Sequence, residues 1–450
     1  MESFDVIIIG AGSAGCLAAF TAAKNGLEKI ALIDRKDKKF IGRKICGDGI
    51  GTKHLEYLQE KGFPIEENNV VLNNIQDAYI IAPDPSIENK LPVAGQLAII
   101  DRHKFGQTLL NTAISYENVK LYDNTLLKEI QRKNGEMLIH LKKGNGETFT
   151  LKSPLLIDAS GFNSKIREDS GFFKEYASVT DKEQYYCYRE ICKIENPLEK
   201  YEDSAIFEFS YEKTRGGYIW FFHRGEDQWN MGNGVPKYWI KTIAPKNVFQ
   251  KHIASRFSKR TTLDGGGGFV PTKQPIPNHV ADNIILTGDA GLIVNPLHGG
   301  GLSPSLASGY LAGKLAAELV PNETISQQDM WIYNLQLMER YGLRYSILDI
   351  YRLSLQNIPD DELNHAIANE YLPIDKIFYA REYDLLLKLS RKLGEIWREL
   401  PNPRFNMLAE TIEKISTITK SYPLNGSKID SWAKQYKQIF ENYQTKIAID

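Results

Sequence analysis

FDVIIIGAGSAGCLAAFTAAKNGLEKIALID, residues 4–34, is the stretch from which the fold follows. It opens with an apolar, β-branched run over 6–9, bounded by Asp5 and Gly10, the pattern of a short parallel strand buried on both faces. Gly10, Gly12 and Gly15 come next, then a helix of small residues over 16–24 that stops near Asn25-Gly26. A second strand over 29–33 ends on Asp34. Each part meets a physical need of a dinucleotide. Gly10 permits the tight turn, Gly12 lets the backbone approach a pyrophosphate, and Gly15 lets the helix lie close to the strand. The helix N-terminus offers unpaired N–H groups and a partial positive charge to that pyrophosphate. Asp34 accepts from the ribose hydroxyls of an adenosine and argues against a 2′-phosphate, so FAD or NAD is favoured over NADP.

Outward from this stretch, the chain has 450 residues, 42% of them apolar, and a formal net charge of −1. That length predicts two or three domains with ample cores. The balanced charge gives no global field for nucleic acid, so none is expected as a partner. No run approaches the roughly 18 apolar residues of a membrane-spanning helix. The first strand begins within a few residues, which leaves no room for a signal peptide. Cys16, Cys46, Cys187 and Cys192 are scattered without a CxxC, so no metal site is expected. The expectation is a reduced, cytoplasmic, monomeric protein.

Residues 35–50 form a basic loop and a Cys46-Gly47-Asp48-Gly49 turn. The run 35–39 reads as solvated surface, although Arg35, next to the acid, is also counted among cofactor contacts below. Two glycines in the four-residue turn imply unusual backbone angles or a close approach. Alternation over 66–100, broken by Pro and Asn, predicts short antiparallel strands, followed by a helix over 104–115. Three strands are expected within 119–152, with hairpin turns at Asn134-Gly135 and Gly144-Asn145-Gly146. A buried strand over 154–157 ends in Asp158-Ala159-Ser160-Gly161. Aromatics crowd 170–275, where runs over 204–211, 217–223 and 228–234 predict an antiparallel sheet. A strand over 283–286 leads to Gly288-Asp289, then Gly299, Gly300 and Gly301 open a helix over 303–319. Residues 325–450 read as helical: Leu386, Leu389, Leu393, Ile396, Trp397 and Leu400 keep helical spacing, with breaks at Pro401 and Pro403. The fold class is α/β: a Rossmann-type dinucleotide-binding domain (1–65, 96–168 and 276–322), an antiparallel β-sheet substrate domain (66–95 and 169–275) and a helical C-terminal region (323–450).

Four phosphate- or flavin-type turns, at 10–15, 46–49, 158–161 and 288–302, lie far apart, whereas a NAD site needs only the first. The second strand–Gly-Asp motif suits an extended FAD site. Asp289 accepts from a ribityl hydroxyl, and the amides of 299–302 face the flavin pyrimidine edge. The following helix N-terminus stabilises the negative charge of reduced flavin. With KICGDGI at 44–50, IDR at 100–102, IDASG at 157–161, GGYIWFF at 216–222, GGGFVPT at 266–272 and GDAGLIVNPLHGGGL at 288–302, the chain resembles the FAD-dependent geranylgeranyl reductase family. The likeness is to its archaeal digeranylgeranylglycerophospholipid reductase-like members, within the p-hydroxybenzoate-hydroxylase-like flavoproteins. It spans residues 5 to about 310, and the SYPLNGS turn at 421–427 extends it into the helical third.

The resemblance implies FAD as cofactor, with Gly10, Gly12, Ala14, Gly15 and Arg102 on the pyrophosphate and Asp34, with Arg35, at the adenosine ribose. It places Leu126 near the adenine and Cys46, Gly47 and Gly49 along the ribityl–isoalloxazine face. Gly161 joins the cofactor set, and Asp289, Gly300, Gly301 and Leu302 bind ribityl and ring. Tyr218, Trp220, Phe222 and His298 are the implied substrate contacts; the family's YxWxFP motif has His223 here in place of its proline. The implied reaction reduces isolated C=C bonds of geranylgeranyl chains, pairing hydride from flavin with a proton on the other carbon. Tyr218 and Trp220 would stabilise the charge developing on the tertiary carbon, and the sheet aromatics would line an apolar tunnel. Cys46 is the candidate proton donor, with His298 the alternative. The implied partners are a geranylgeranyl lipid, met by peripheral membrane contact through 325–450, and an external electron donor, ferredoxin-type or nicotinamide. A flavin monooxygenase or halogenase on the same fold is the second reading, though 217–220 only partly matches the halogenase WxWxIP stretch. A non-catalytic flavin- or lipid-binding module is the third.

Overall fold

In a computed structural model, which describes residues 1–169, 171–173, 177–195, 199–322, 324–379, 383–399 and 403–447, the strand Val6–Ile9 lies inside a six-stranded sheet. The order is Val280–Ala281, Ile284–Leu286, Leu155–Asp158, Val6–Ile9, Ile30–Ile33 and Val119–Tyr122, parallel except at the first edge. The three central strands are buried at every residue because both faces are covered. Val6, Ile8, Ile30 and Leu32 pack under the helices Ser13–Lys24, Arg102–Ile114 and Leu302–Leu319. Ile7, Ile9, Ala31 and Ile33 pack against a four-stranded sheet of Glu2–Ser3, Thr148–Ser153, Glu136–Lys143 and Thr125–Lys133. Residues 119–152 thus hold four strands, one more than expected, because Val119–Tyr122 leaves its neighbours to join the parallel sheet.

Small residues let the helices touch by backbone. A Cβ at Gly309 would stand 2.2 Å from the Ala14 carbonyl oxygen, and one at Gly313 2.3 Å from that of Ala18. Larger residues there would push Leu302–Leu319 off Ser13–Lys24, at a cost of about 1–3 kcal/mol each.

An eight-stranded sheet runs in the order Arg260–Pro271, Gln184–Ile194, Gln228–Pro236, Tyr218–Gly225, Ser204–Phe209, Val71–Ile81, Glu88–Ile100 and Gly49–Gly51. The expectation of short strands over 66–100 is corrected to two long ones. Asn73 sits at a β-bulge and Pro92 pairs opposite Asp77 beside another, so the residues that read as breaks are absorbed as register shifts. Glu88–Ile100 runs without interruption through residues 95 and 96, and Gly49–Gly51 adds an edge strand against Leu97–Ile99. One face buries Ile219, Phe221, Trp229 and Met231 against the helix Pro245–His252. The other carries Tyr218, Trp220 and Phe222.

The C-terminal region is helical. Leu343–Leu355 is buried from Tyr345 onward and packs with Pro403–Lys420 and Ile429–Ile447. In Tyr383–Glu399, Leu386, Leu393 and Trp397 point into the core and Ile396 points out. Leu400 and the break at Pro401 lie outside the described residues. Among the described residues no helix is long and apolar enough to cross a membrane.

Candidate active site

The first turn is built from backbone. Gly10 has φ +100° and its N–H donates to the Ile33 carbonyl at 2.6 Å. A Cβ on Gly10 would stand 2.3 Å from the Ala159 carbonyl oxygen, and one on Gly15 1.8 Å from that of Gly10. Ala14 is buried beneath the turn. Gly12 differs: nothing lies within 4 Å of its Cβ direction. Asp34 accepts from the Ala11 N–H and the Lys36 N–H, both at 2.8 Å, so its carboxylate braces the turn. Arg35 is exposed beside it. Thr125 N–H donates to the Asp34 carbonyl at 2.8 Å, which sets Leu126, 44% exposed, at the same edge. Arg102 Nη2 donates to Ser13 Oγ at 3.0 Å, while its Nη1 is buried without a partner among the described residues. Open space at Gly12, an unspent guanidinium N–H and an exposed apolar side chain fit the pyrophosphate and adenine of a dinucleotide.

The later turns lean on the first. Thr287 N–H donates to the Asp158 carbonyl at 2.9 Å. Arg167 donates to the carbonyls of Ala290 at 3.0 Å and Phe162 at 2.7 Å, tying the 158–161 turn to the 288 loop. Gly161 has φ +90° and open space around it. Asp289 Oδ2 pairs with Lys44 Nζ at 2.5 Å, a link between KICGDGI and the second motif that no local pattern announced. The 295–301 loop winds on Asn295, whose Oδ1 accepts from Leu297 N–H at 3.0 Å and His298 N–H at 3.3 Å. Gly300 N–H donates to His298 Nδ1 at 3.1 Å. Burial, and then the Arg344 charge, hold His298 down to about 4, so the imidazole is neutral at pH 7. Gly301 caps the helix that starts at half-buried Leu302 and, as a glycine, lends no side chain to its first-turn amides.

The 46–49 turn is built from side chains. Asp48, 1% exposed, has φ +65° and accepts from Arg224 Nη1 at 2.5 Å and Asn230 Nδ2 at 2.9 Å. Asn230 Nδ2 also donates to the Cys46 carbonyl at 2.8 Å, and its Oδ1 accepts from Trp220 Nε1 at 3.0 Å. Asp48 N–H donates to Cys46 Sγ at 3.3 Å. Burial pushes the Cys46 thiol up and the Asp48 carboxylate adds to the rise, which keeps the proton on sulfur. Gly47 lies on the Phe222 ring, where a Cβ would stand 2.8 Å away. Gly49 begins the edge strand. Ile45 fills the space left by the glycine run of Arg260–Pro271: a Cβ on Gly266 would stand 3.0 Å from it.

Alternation puts Tyr218, Trp220 and Phe222 on one sheet face, joined by Phe207 at 5.4 Å from Tyr218 and 5.1 Å from Phe222. Tyr218 OH donates to the His298 carbonyl at 2.7 Å, which brings the wall to the glycine loop. His223 falls on the opposite face. It is buried, accepts at Nδ1 from the Asp203 N–H at 2.9 Å, and lies 4.8 Å from Trp229. The departure from the family's proline therefore leaves the aromatic wall intact. Asp48, Arg224, Asn230 and Lys44 were not singled out as site residues, because their partners lie 176 to 245 positions away in sequence.

A family model described as an FAD binding domain matches residues 3–324. The digeranylgeranylglycerophospholipid reductase of Sulfolobus acidocaldarius is 27% identical, over 99% of this chain and 99% of that protein. A geranylgeranyl bacteriochlorophyll reductase-like protein from Thermoplasma acidophilum superposes with TM-score 0.77 at 22% identity, covering 92% of this chain and 100% of its own. A flavin-dependent brominase superposes with TM-score 0.65 at 16% identity over 99% and 100%. These two share the fold. The match over residues 3–324 takes in all four turns of the site, and the chain belongs to the FAD-binding domain family.

Proposed function

We propose that the protein is an FAD-dependent reductase that hydrogenates isolated C=C bonds of geranylgeranyl chains in prenyl lipids. The observation that carries this reading is the Cys46 turn set against an aromatic wall: a thiol held in its protonated form, on a glycine backbone laid on Phe222, next to Trp220. Bound and reduced, FAD supplies the hydride. In this reading Gly10, Gly12, Ala14, Gly15 and Arg102 hold the pyrophosphate, and Asp34, Arg35 and Leu126 meet the adenosine. Gly47, Gly49, Gly161, Asp289, Gly300, Gly301 and Leu302 line the ribityl and ring. Lys44 must release or share Asp289 for this.

Cys46 Sγ holds the proton that goes to the alkene carbon, and solvent restores it after each turnover. Tyr218, Trp220 and Phe222 exclude water and present π faces to positive charge on the tertiary carbon. Neutral His298 fixes the loop through Gly300 and is not the acid. Electrons come from an external ferredoxin-type or nicotinamide donor. The lipid is met at the membrane surface, for which Leu385, 56% exposed on Tyr383–Glu399, and Leu424, 81% exposed, offer apolar contact. The test is anaerobic reduction of the flavin with geranylgeranyl lipid present, read by mass spectrometry. Gains of about 2 mass units per double bond are expected, and unchanged lipid beside reduced flavin would sink the reading.

A further inference from the structure

We propose that Asp48 is the positioning residue of the Cys46 thiol: it fixes the turn so that Sγ accepts from a backbone N–H and leaves its own proton to the cleft. This rests on reading Cys46 as the proton source. Asp48 holds φ +65°, a left-handed conformation that disfavours most residues with a Cβ and that Asp can adopt. Its carboxylate supplies what keeps it there. Oδ2 takes hydrogen bonds from Arg224 and Asn230, and the same Asn230 amide clamps the Cys46 carbonyl. Trp220 Nε1 fixes the other end of Asn230. Trp220 and Asn230 are both buried, so one rigid unit runs from the aromatic wall to the thiol. With Asp48 N–H donating to Sγ, one sulfur lone pair is engaged, and Sγ donates to none of the described residues.

The charges around the pair point the same way. Asp48, Arg102 and Lys44 face Cys46, with Cys187 and Tyr218 contributed by the sheet. Arg224, Arg189 and Arg102 face Asp48. Of these, the Asp48 carboxylate opposes thiolate formation; burial pushes Asp48's own carboxyl up, and Arg224, Arg189, Arg102 and the Asn230 hydrogen bond offset part of that rise. An asparagine at 48 keeps the shape and removes the charge.

The test uses the FAD-loaded protein. The rate of iodoacetamide alkylation at Cys46, followed by peptide mass mapping across pH, reports the thiol's titration. D48N lowers the midpoint, because it removes the carboxylate that raises it, and D48S does the same. An unmoved midpoint in either flavin-loaded variant overturns the inference. Loss of flavin from both also overturns it, since Asp48 is then a residue of the fold. C46S separates this from the reading beneath it. Wild-type lipid reduction by C46S removes Cys46 from the chemistry but leaves the D48N shift standing. An impaired C46S with an unmoved D48N midpoint removes Asp48 alone.

Discussion

The turn over 10–15 is held by backbone contacts, whereas the turn over 46–49 is held by buried side chains drawn from the eight-stranded sheet. In the first, glycines meet carbonyls: Gly15 against Gly10, Gly10 against Ala159, Gly309 against Ala14. In the second, Asp48, Asn230, Arg224 and Trp220 form the support. The two are near each other, since Arg102, which holds Ser13, also acts on the Cys46 thiol. Under the proposed function, the difference follows from what each turn would have to do. A pyrophosphate is recognised by N–H groups every residue owns, so the need is close approach. A proton must be held on one atom, and only side chains placed around that atom can do it.

Gly15→Ala is the largest test of the backbone-built half. Its Cβ would stand 1.8 Å from a carbonyl that cannot swing away, so a stability loss of about 3 kcal/mol and complete loss of flavin absorbance are expected. Denaturant unfolding and absorbance check both. A stable, yellow variant would show that the turn tolerates side chains and would remove the contrast.

Gly12→Val is the sharper partner to it. With nothing within 4 Å, the new side chain meets open space, so the apoprotein should stay within about 0.5 kcal/mol of the parent. Flavin should still be lost, because the valine occupies the approach of the pyrophosphate. Equal destabilisation by the two variants would mean that Gly12 serves packing, not ligand.

What the sequence disclosed divides along the same line. A backbone-built turn must be written locally: strand, glycines at fixed offsets, helix, strand and acid, all within residues 4–34, and the helix and both strands lie within a few residues of where the pattern put them. The second motif was legible for the same reason. The network under Cys46 was not. Asp48 sat in view inside Cys-Gly-Asp-Gly, but a lone acid carries no sign that Asn230 and Arg224 will reach it from a distant strand pair. Residues 66–100 misled by a related route, since Asn and Pro usually end strands and here sit at bulges that the long partner strand tolerates.

The next effect concerns His279, packed under the second motif, where a Cβ on Gly291 would stand 3.1 Å from its ring. Burial lowers its folded-state value from 6.5 to about 4. The unfolded chain therefore binds a proton between those values that the folded chain does not. The stability this contributes is fully present above pH 6.5 and is lost as pH falls toward 4. The total change over that window should amount to about 3 kcal/mol. H279Q, titrated by denaturant unfolding, should flatten the slope while retaining flavin. An unchanged slope would place the acid sensitivity elsewhere, and loss of flavin would mean that a side chain, as well as backbone, supports the second motif.

The smallest effect lies at the hydrogen bond that joins the two halves, Tyr218 OH to the His298 carbonyl at 2.7 Å. Tyr218→Phe keeps the ring and its neighbours Phe207 at 5.4 Å and Trp220 at 6.0 Å, and deletes the hydroxyl. The carbonyl loses a donor inside the protein, so the cost should be about 1 kcal/mol. Flavin content should not change if the 295–301 loop stands on Asn295 and its own glycines, as the hydrogen bonds of Leu297 and His298 to Asn295 Oδ1 suggest. Lipid reduction should fall a few-fold at most, because the π face remains. A Tyr218→Phe protein that purifies without flavin would mean the glycine loop is propped by the sheet, and the division between a backbone-built cofactor site and a side-chain-built wall would then end at residue 298.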